Sequence, residues 1–191
     1  EMADVHFSGR SKAWSWALRL SPYYNRVSDK IVAIPTSSQF RWTMLNIGKV
    51  DVTGLDVKAE AGYEGVSFGV NAVLRYTYQR ALDHSTPGSQ TWGNQIPYIP
   101  LHSGSIGLTF RLDEWYLNWD TMLTGERWSR SANTADYYVA PWSSSDVSLS
   151  RKFRQFTAGI ACKNIFNRSY EIVQGYPMPG FNWMLSVEYN W

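Results

Sequence analysis

The stretch Phe181-Asn182-Trp183-Met184-Leu185-Ser186-Val187-Glu188-Tyr189-Asn190-Trp191 decides the fold. Phe181, Trp183, Leu185, Val187, Tyr189 and Trp191 fall on one side of an extended chain, and Asn182, Ser186, Glu188 and Asn190 fall on the other. Met184 alone breaks the alternation. Side chains repeat every two residues along a strand and every 3.6 along a helix, so this pattern fits a strand with one apolar face. That face carries aromatic residues, with Trp183 near its start and Tyr189 and Trp191 at its end.

Working outward, the same period recurs. Val66, Phe68, Val70, Ala72, Leu74, Tyr76 and Tyr78 oppose Ser67, Gly69, Asn71, Arg75 and Thr77. Ile106, Leu108, Phe110 and Leu112 form another face, as do Trp115, Leu117, Trp119 and Leu123, and Trp14, Trp16, Leu18 and Leu20. Weaker candidates lie around Val5 and Phe7, from Val57 to Tyr63, around Val147 and Leu149, and from Phe156 to Cys162. The reading is about nine antiparallel strands near the ten-residue length of a tilted membrane strand. Connections alternate between short turns near 9–12, 63–66, 111–114 and 152–155 and long polar loops near 35–48, 79–96, 126–141 and 168–180. Long loops at one end and short turns at the other are the plan of an outer-membrane barrel.

Composition agrees. The chain has 10 Trp and 12 Tyr with only 18% charged residues, and such amphipathic rings suit a membrane-water interface. A formal charge of +2 gives no ground for a nucleic-acid partner. Apolar runs fall short of the eighteen residues a spanning helix needs, so any crossing is made by strands. A soluble β-sandwich shares the alternation, but its core favours packed aliphatics over Trp and Tyr at strand ends.

Asn164-Ile165-Phe166-Asn167-Arg168-Ser169-Tyr170-Glu171, then Gln174-Gly175-Tyr176-Pro177-Met178-Pro179-Gly180 and the terminal strand, resemble the C-terminal part of the β-barrel of TonB-dependent outer-membrane receptors. Pro22-Tyr23-Tyr24-Asn25-Arg26, Asn46-Ile47-Gly48-Lys49-Val50 and Ile96-Pro97-Tyr98-Ile99-Pro100 resemble further landmarks of that family in the same order. The resemblance implies an all-β, up-and-down transmembrane barrel of about twenty-two strands, of which residues 1–191 supply the last nine. The plug domain and the N-terminal strands then lie outside this chain. It implies a bacterial outer-membrane location and import of a scarce nutrient such as an iron chelate, cobalamin or an oligosaccharide. The implied partners are the remainder of the same receptor, TonB through a segment absent here, and outer-membrane lipid and lipopolysaccharide. Phe181, Trp183, Leu185, Val187, Tyr189 and Trp191 would close the barrel and carry the assembly signal, with the terminal Trp191 matching the family's last aromatic. The alternative is a self-contained small barrel serving as an adhesin or structural protein.

Ligand capture would fall to the long loops, where Tyr24, Trp92, Tyr98, Arg127, Trp128, Tyr137, Tyr138 and Tyr176 are the candidates; an aromatic girdle is the plainer reading for any one of them. Arg127, Arg130 and Arg168 suit an anionic ligand or lipopolysaccharide phosphates. His6, His84 and His102 lack metal-ligand spacing, and no cofactor or metal is expected. Cys162 alternates with Ile160 and reads as a lipid-facing or packed small residue, and Gly54 reads as a bulge or kink. No Ser, Asp or Cys constellation with a neighbouring His suggests an enzyme.

Overall fold

The computed structural model describes residues 1–35 and 41–189. Nine strands form one antiparallel sheet in simple up-and-down order. They are β1 (Val5–Ser11), β2 (Trp14–Val27), β3 (Val50–Glu64), β4 (Phe68–Asp83), β5 (His102–Leu112), β6 (Trp115–Thr124), β7 (Trp142–Phe153), β8 (Phe156–Lys163) and β9 (Asn182–Tyr189). The turns at 12–13, 65–67, 113–114 and 154–155 leave one end, and the long connections 28–49, 84–101, 125–141 and 164–181 leave the other. Residues 36–40, Asn190 and Trp191 lie outside the described residues.

Register converts each strand's alternation into two continuous faces. Trp14, Tyr63, Val70, Phe110, Leu117, Leu149, Ile160 and Leu185 are successive cross-strand partners from β2 to β9. The next row of the same face runs Trp16, Ala61, Ala72, Leu108, Trp119, Val147, Cys162 and Trp183. Cys162 therefore sits in an apolar row, as its spacing indicates. Between these lies the opposite face, where Ser15, Gly62, Asn71, Thr109, Asn118 and Ser148 align. Thr109 Oγ1 donates to Asn118 Oδ1 at 2.9 Å, and Asn118 Nδ2 donates to Ser148 Oγ at 3.2 Å, along that row. A one-residue slip anywhere would move polar groups onto the apolar face, so the pattern pins the register.

Several boundaries differ from the sequence reading. β3 begins at Val50, at the landmark 46–50 rather than near Val57 where its alternation starts, and β4 runs to Asp83, well into the expected loop. β7 is 12 residues long, although only Val147 and Leu149 mark it in the sequence and Ser143, Ser144 and Ser145 show no alternation. Short polar side chains weaken the alternation but leave the backbone free to pair, and Trp142–Arg151 pair with β6 without a break. Val66 is not in a strand; it sits at the β3–β4 turn and is 99% exposed. Phe181 likewise precedes β9. Gly54 is neither bulged nor kinked, for β3 keeps unbroken register with β2 and β4 there. Its missing side chain has another cause: the Tyr23 ring lies across it, and a Cβ would overlap that ring.

The Asn164 motif is a clamp at the start of the last loop. Asn164 and Asn167 both adopt positive φ, +48° each, a conformation that asparagine tolerates better than most residues. Asn164 is 3% exposed; its Nδ2 donates to the carbonyls of Arg168 (2.8 Å) and Pro179 (3.1 Å), and its Oδ1 accepts from the Arg168 N–H (2.9 Å). Its own N–H donates to Asp146 at 2.9 Å, and Asn167 Oδ1 accepts from the Phe181 N–H at 2.9 Å. Both ends of loop 164–181 are thus tied to one turn. Replacing Asn164 with Ala strands buried carbonyls, and we expect a loss of about 1–3 kcal/mol of barrel stability. The check is the unfolding midpoint of the full-length protein in detergent, with Asn167→Ala, at a more exposed site, costing less.

Candidate functional site

At the loop end the polar face stops being polar. The row Asn25, Val52 and Ala81 and the row Val27, Val50 and Asp83 put apolar side chains where Arg19, Lys58 and Arg75 stand lower down. The loops explain the change, because they fold over this part of the sheet. Ile47, Val50, Ala81 and Ile96 form a buried cluster, with Val32, Leu45, Val52 and Ile99 packed on it. A small hairpin, Ile31–Pro35 with Trp42–Asn46, brings in Val32 and Leu45.

Polar links join the loops into one layer. Gln95 accepts from the Ala81 N–H at 3.0 Å and donates to the Gln79 and Ile99 carbonyls at 3.1 and 3.2 Å, holding loop 84–101 against β4. Asp83 closes the start of that loop by accepting from Ser85 N and Thr91 Oγ1 at 2.9 and 2.8 Å. Loop 84–101 meets loop 125–141 through Tyr98 N to the Trp128 carbonyl (2.7 Å) and Asn94 Nδ2 to the Ser131 carbonyl (2.9 Å). Loop 125–141 meets loop 164–181 through Arg127, whose guanidinium donates to the carbonyls of Glu171 and Ile172, both at 2.7 Å, and of Ala140 at 3.3 Å. Ser129 and Gln174 bond alongside, and Trp42 approaches Tyr176 with ring centroids 6.1 Å apart.

The loop candidates therefore divide. Arg127 is 3% exposed and spends its donors on carbonyls, so it braces the layer from within. Burial lowers its pKa from the ordinary arginine value, and the neighbouring Tyr98 acts in the opposite direction. Tyr98 and Tyr176 are half-buried, and burial raises the Tyr98 phenol's pKa. Trp128 packs edge-on to the exposed Tyr138 at 5.6 Å, and the Arg130 guanidinium lies 5.1 Å from the Tyr137 ring; these four share one hairpin and make its aromatic surface. Trp92 is exposed and packs on His84 at 4.8 Å, while His84 Nδ1 is 2.7 Å from Asp51, itself paired with Arg26. Tyr24 stands on the apolar face of β2 and accepts from Arg26 at 2.9 Å, whereas Tyr23 points to the loop-covered face. Gln95, Asp83, Asn94, Ser129 and Gln174 escape the sequence reading. Of these only Asp83, two residues before Ser85, carries a local signature, that of an Asx turn.

Among the terminal-strand residues, Trp183, Leu185 and Val187 oppose Cys162, Ile160 and Ala158 on the apolar face. Tyr189 packs on Phe156 at 5.0 Å, and Trp191 lies outside the described residues. β1 and β9 are the edges of the sheet, and neither pairs on its outer side among the described residues.

Arg127→Met keeps volume and removes the donors. We expect the amides of Tyr98 and Ser129 to exchange roughly 30- to 150-fold faster, the equivalent of about 2–3 kcal/mol for stranded carbonyls, by hydrogen-exchange mass spectrometry. Strand amides should be unchanged.

Comparison with known proteins agrees with this architecture. The model of the TonB dependent receptor-like β-barrel family matches residues 7–165. The siderophore receptor PiuA from Acinetobacter baumannii superimposes with a TM-score of 0.70 at 15% identity, over 98% of this chain and 28% of that one. For the ferric yersiniabactin uptake receptor FyuA from Yersinia pestis the TM-score is 0.63 at 18% identity, over 98% of this chain and 27% of that one. The FrpB iron transporter from Neisseria meningitidis (F3-3 variant) gives 0.62 at 14% identity, over 98% and 30%. At such identities the likeness is one of fold, and the chain spans under a third of each of these proteins. The long family match, the up-and-down sheet and its two-faced register together assign the chain to the TonB-dependent receptor-like β-barrel family of the Gram-negative outer membrane.

Proposed function

We propose that residues 1–191 form the last nine strands of a receptor that imports a scarce nutrient across the outer membrane in a TonB-dependent manner. Candidate nutrients are an iron chelate, cobalamin and an oligosaccharide. The observation that carries this reading is the loop layer: four long connections interlock over the polar face at one end of the sheet and carry the half-buried Trp128 and Tyr137 beside the exposed Tyr138. A rigid loop platform above a polar-lined sheet suits capture of a ligand at the mouth of a channel. No catalytic step is assigned to the chain.

The same reading gives β9 a structural duty. Its free edge would pair with the first strand of the barrel, because unsatisfied backbone groups in hydrocarbon cost several kcal/mol each. The remaining strands, the plug and the segment that meets TonB belong to the rest of the receptor on this reading.

Two measurements test it. Accumulation of labelled ferric chelates, cobalamin and oligosaccharides is compared in cells with and without TonB; uptake that depends on this gene and on TonB supports the proposal, and uptake indifferent to TonB sinks it. For the loops, Trp128→Ala together with Tyr138→Ala should weaken binding of the imported compound about 3- to 10-fold, the range for loss of one aromatic contact. Unchanged affinity in equilibrium binding removes that hairpin from the capture surface.

A further inference from the structure

A groove of about 590 Å³ lies on the apolar face near the loop end and has both an apolar wall and a basic rim. Leu74, Tyr76, Ile106 and Leu123 stand on that face around Gly104, since Tyr76, Gly104, Leu123 and Ser143 are successive cross-strand partners and Leu74 opposes Ile106 in the next row. Gly104 keeps the floor low for a steric reason: a Cβ there would sit 2.7 Å from the Arg75 carbonyl oxygen, too close for any larger residue. The loop-side rim carries Tyr76 Oη and His102 Nδ1, 2.7 Å apart, and Arg168. The Arg168 backbone is fixed by Asn164, but its guanidinium makes no hydrogen bond or ion pair among the described residues.

We propose that this groove is a binding site for one phosphate-bearing lipid, with an acyl chain along Gly104 between Leu74, Ile106 and Leu123 and the phosphate on Arg168. The face decides the occupant. These residues continue the apolar rows that meet the bilayer, so an acyl chain reaches the groove laterally without leaving hydrocarbon. An arginine fork pairs two phosphate oxygens, and the Tyr76–His102 pair supplies polar atoms at headgroup level. Snorkelling of the long Arg168 side chain to the interface is then completed by a counter-charge. The site is independent of the nutrient imported, so failure of the transport reading leaves it standing.

The test uses the full-length receptor, delipidated in a maltoside detergent, with native mass spectrometry as readout. Dipalmitoyl phosphatidic acid, dipalmitoyl glycerol and inorganic phosphate are the probes. Phosphatidic acid should bind as one retained copy, at least tenfold more tightly than the diacylglycerol, and inorganic phosphate should not displace it. Arg168→Gln should cost roughly tenfold in lipid affinity, the effect of one charge-assisted contact, and Arg168→Lys should restore part of it. Ser143→Leu, which places bulk beside Leu123, should lower affinity for both lipids while heat-modifiability shows the barrel still folded. Equal binding of diacylglycerol and phosphatidic acid overturns the role of Arg168. Displacement by phosphate alone overturns the lipid in favour of a soluble anion. Lipid binding unchanged by both Arg168→Gln and Ser143→Leu overturns the site.

Discussion

The constraint on which this structure depends is that a backbone crossing hydrocarbon must satisfy every N–H and C=O within itself. Long strands follow, since β2, β3 and β4 run 14, 15 and 16 residues and pair side by side without a bulge. So does the strict two-faced register. With the backbone satisfied by neighbours, side chains decide which face meets lipid, and Trp14 through Leu185 form an apolar row across eight strands. The opposite face is free to hold Ser, Thr and Asn, which bond to one another along the row instead of packing into a core. Burial is accordingly scarce: the buried apolar residues include Ile47, Val50, Ala81 and Ile96, which gather under the loops.

That economy explains what could and could not be read from the residues. β9, β5 and β6 were legible because apolar and polar positions alternate without exception or nearly so. β7 was legible only around Val147 and Leu149, because Ser143 to Ser145 give no alternation, and their strand state is imposed by β6 beside them. The upper half of β3 was legible in the family landmark and not in the alternation, for a related reason: Val50 and Val52 face the loop layer, so their apolar character breaks the alternation expected of a lumen-facing position. Short and long connections were legible from composition, but the hairpins inside the loops depend on contacts between loops distant in sequence. Arg127 shows the limit most clearly. As a residue type it suggests a surface cation, and its use as an internal brace is fixed by carbonyls 44 and 45 positions away.

The loop layer also separates rigidity from recognition. Arg127, Gln95 and Asp83 satisfy buried backbone and hold the loops to one another and to β4, so the exposed rings of Trp92 and Tyr138 are carried on a platform rather than on free tethers. A pre-ordered surface loses less conformational entropy when a ligand arrives. The price of that order is met by the protein when it folds.

The clamp formed by Asn164 and Asn167 has a bearing on biogenesis. Its partners Arg168, Pro179 and Phe181 lie within seventeen residues after Asn164, and Asp146 of β7 lies eighteen before it, so the geometry of the last hairpin is encoded within β7, β8 and the loop that follows. Contacts this short in sequence form early and quickly. β8 and β9 can therefore reach the membrane already in register, one a template and the other an open edge. The final seam then has only its own alignment left to find.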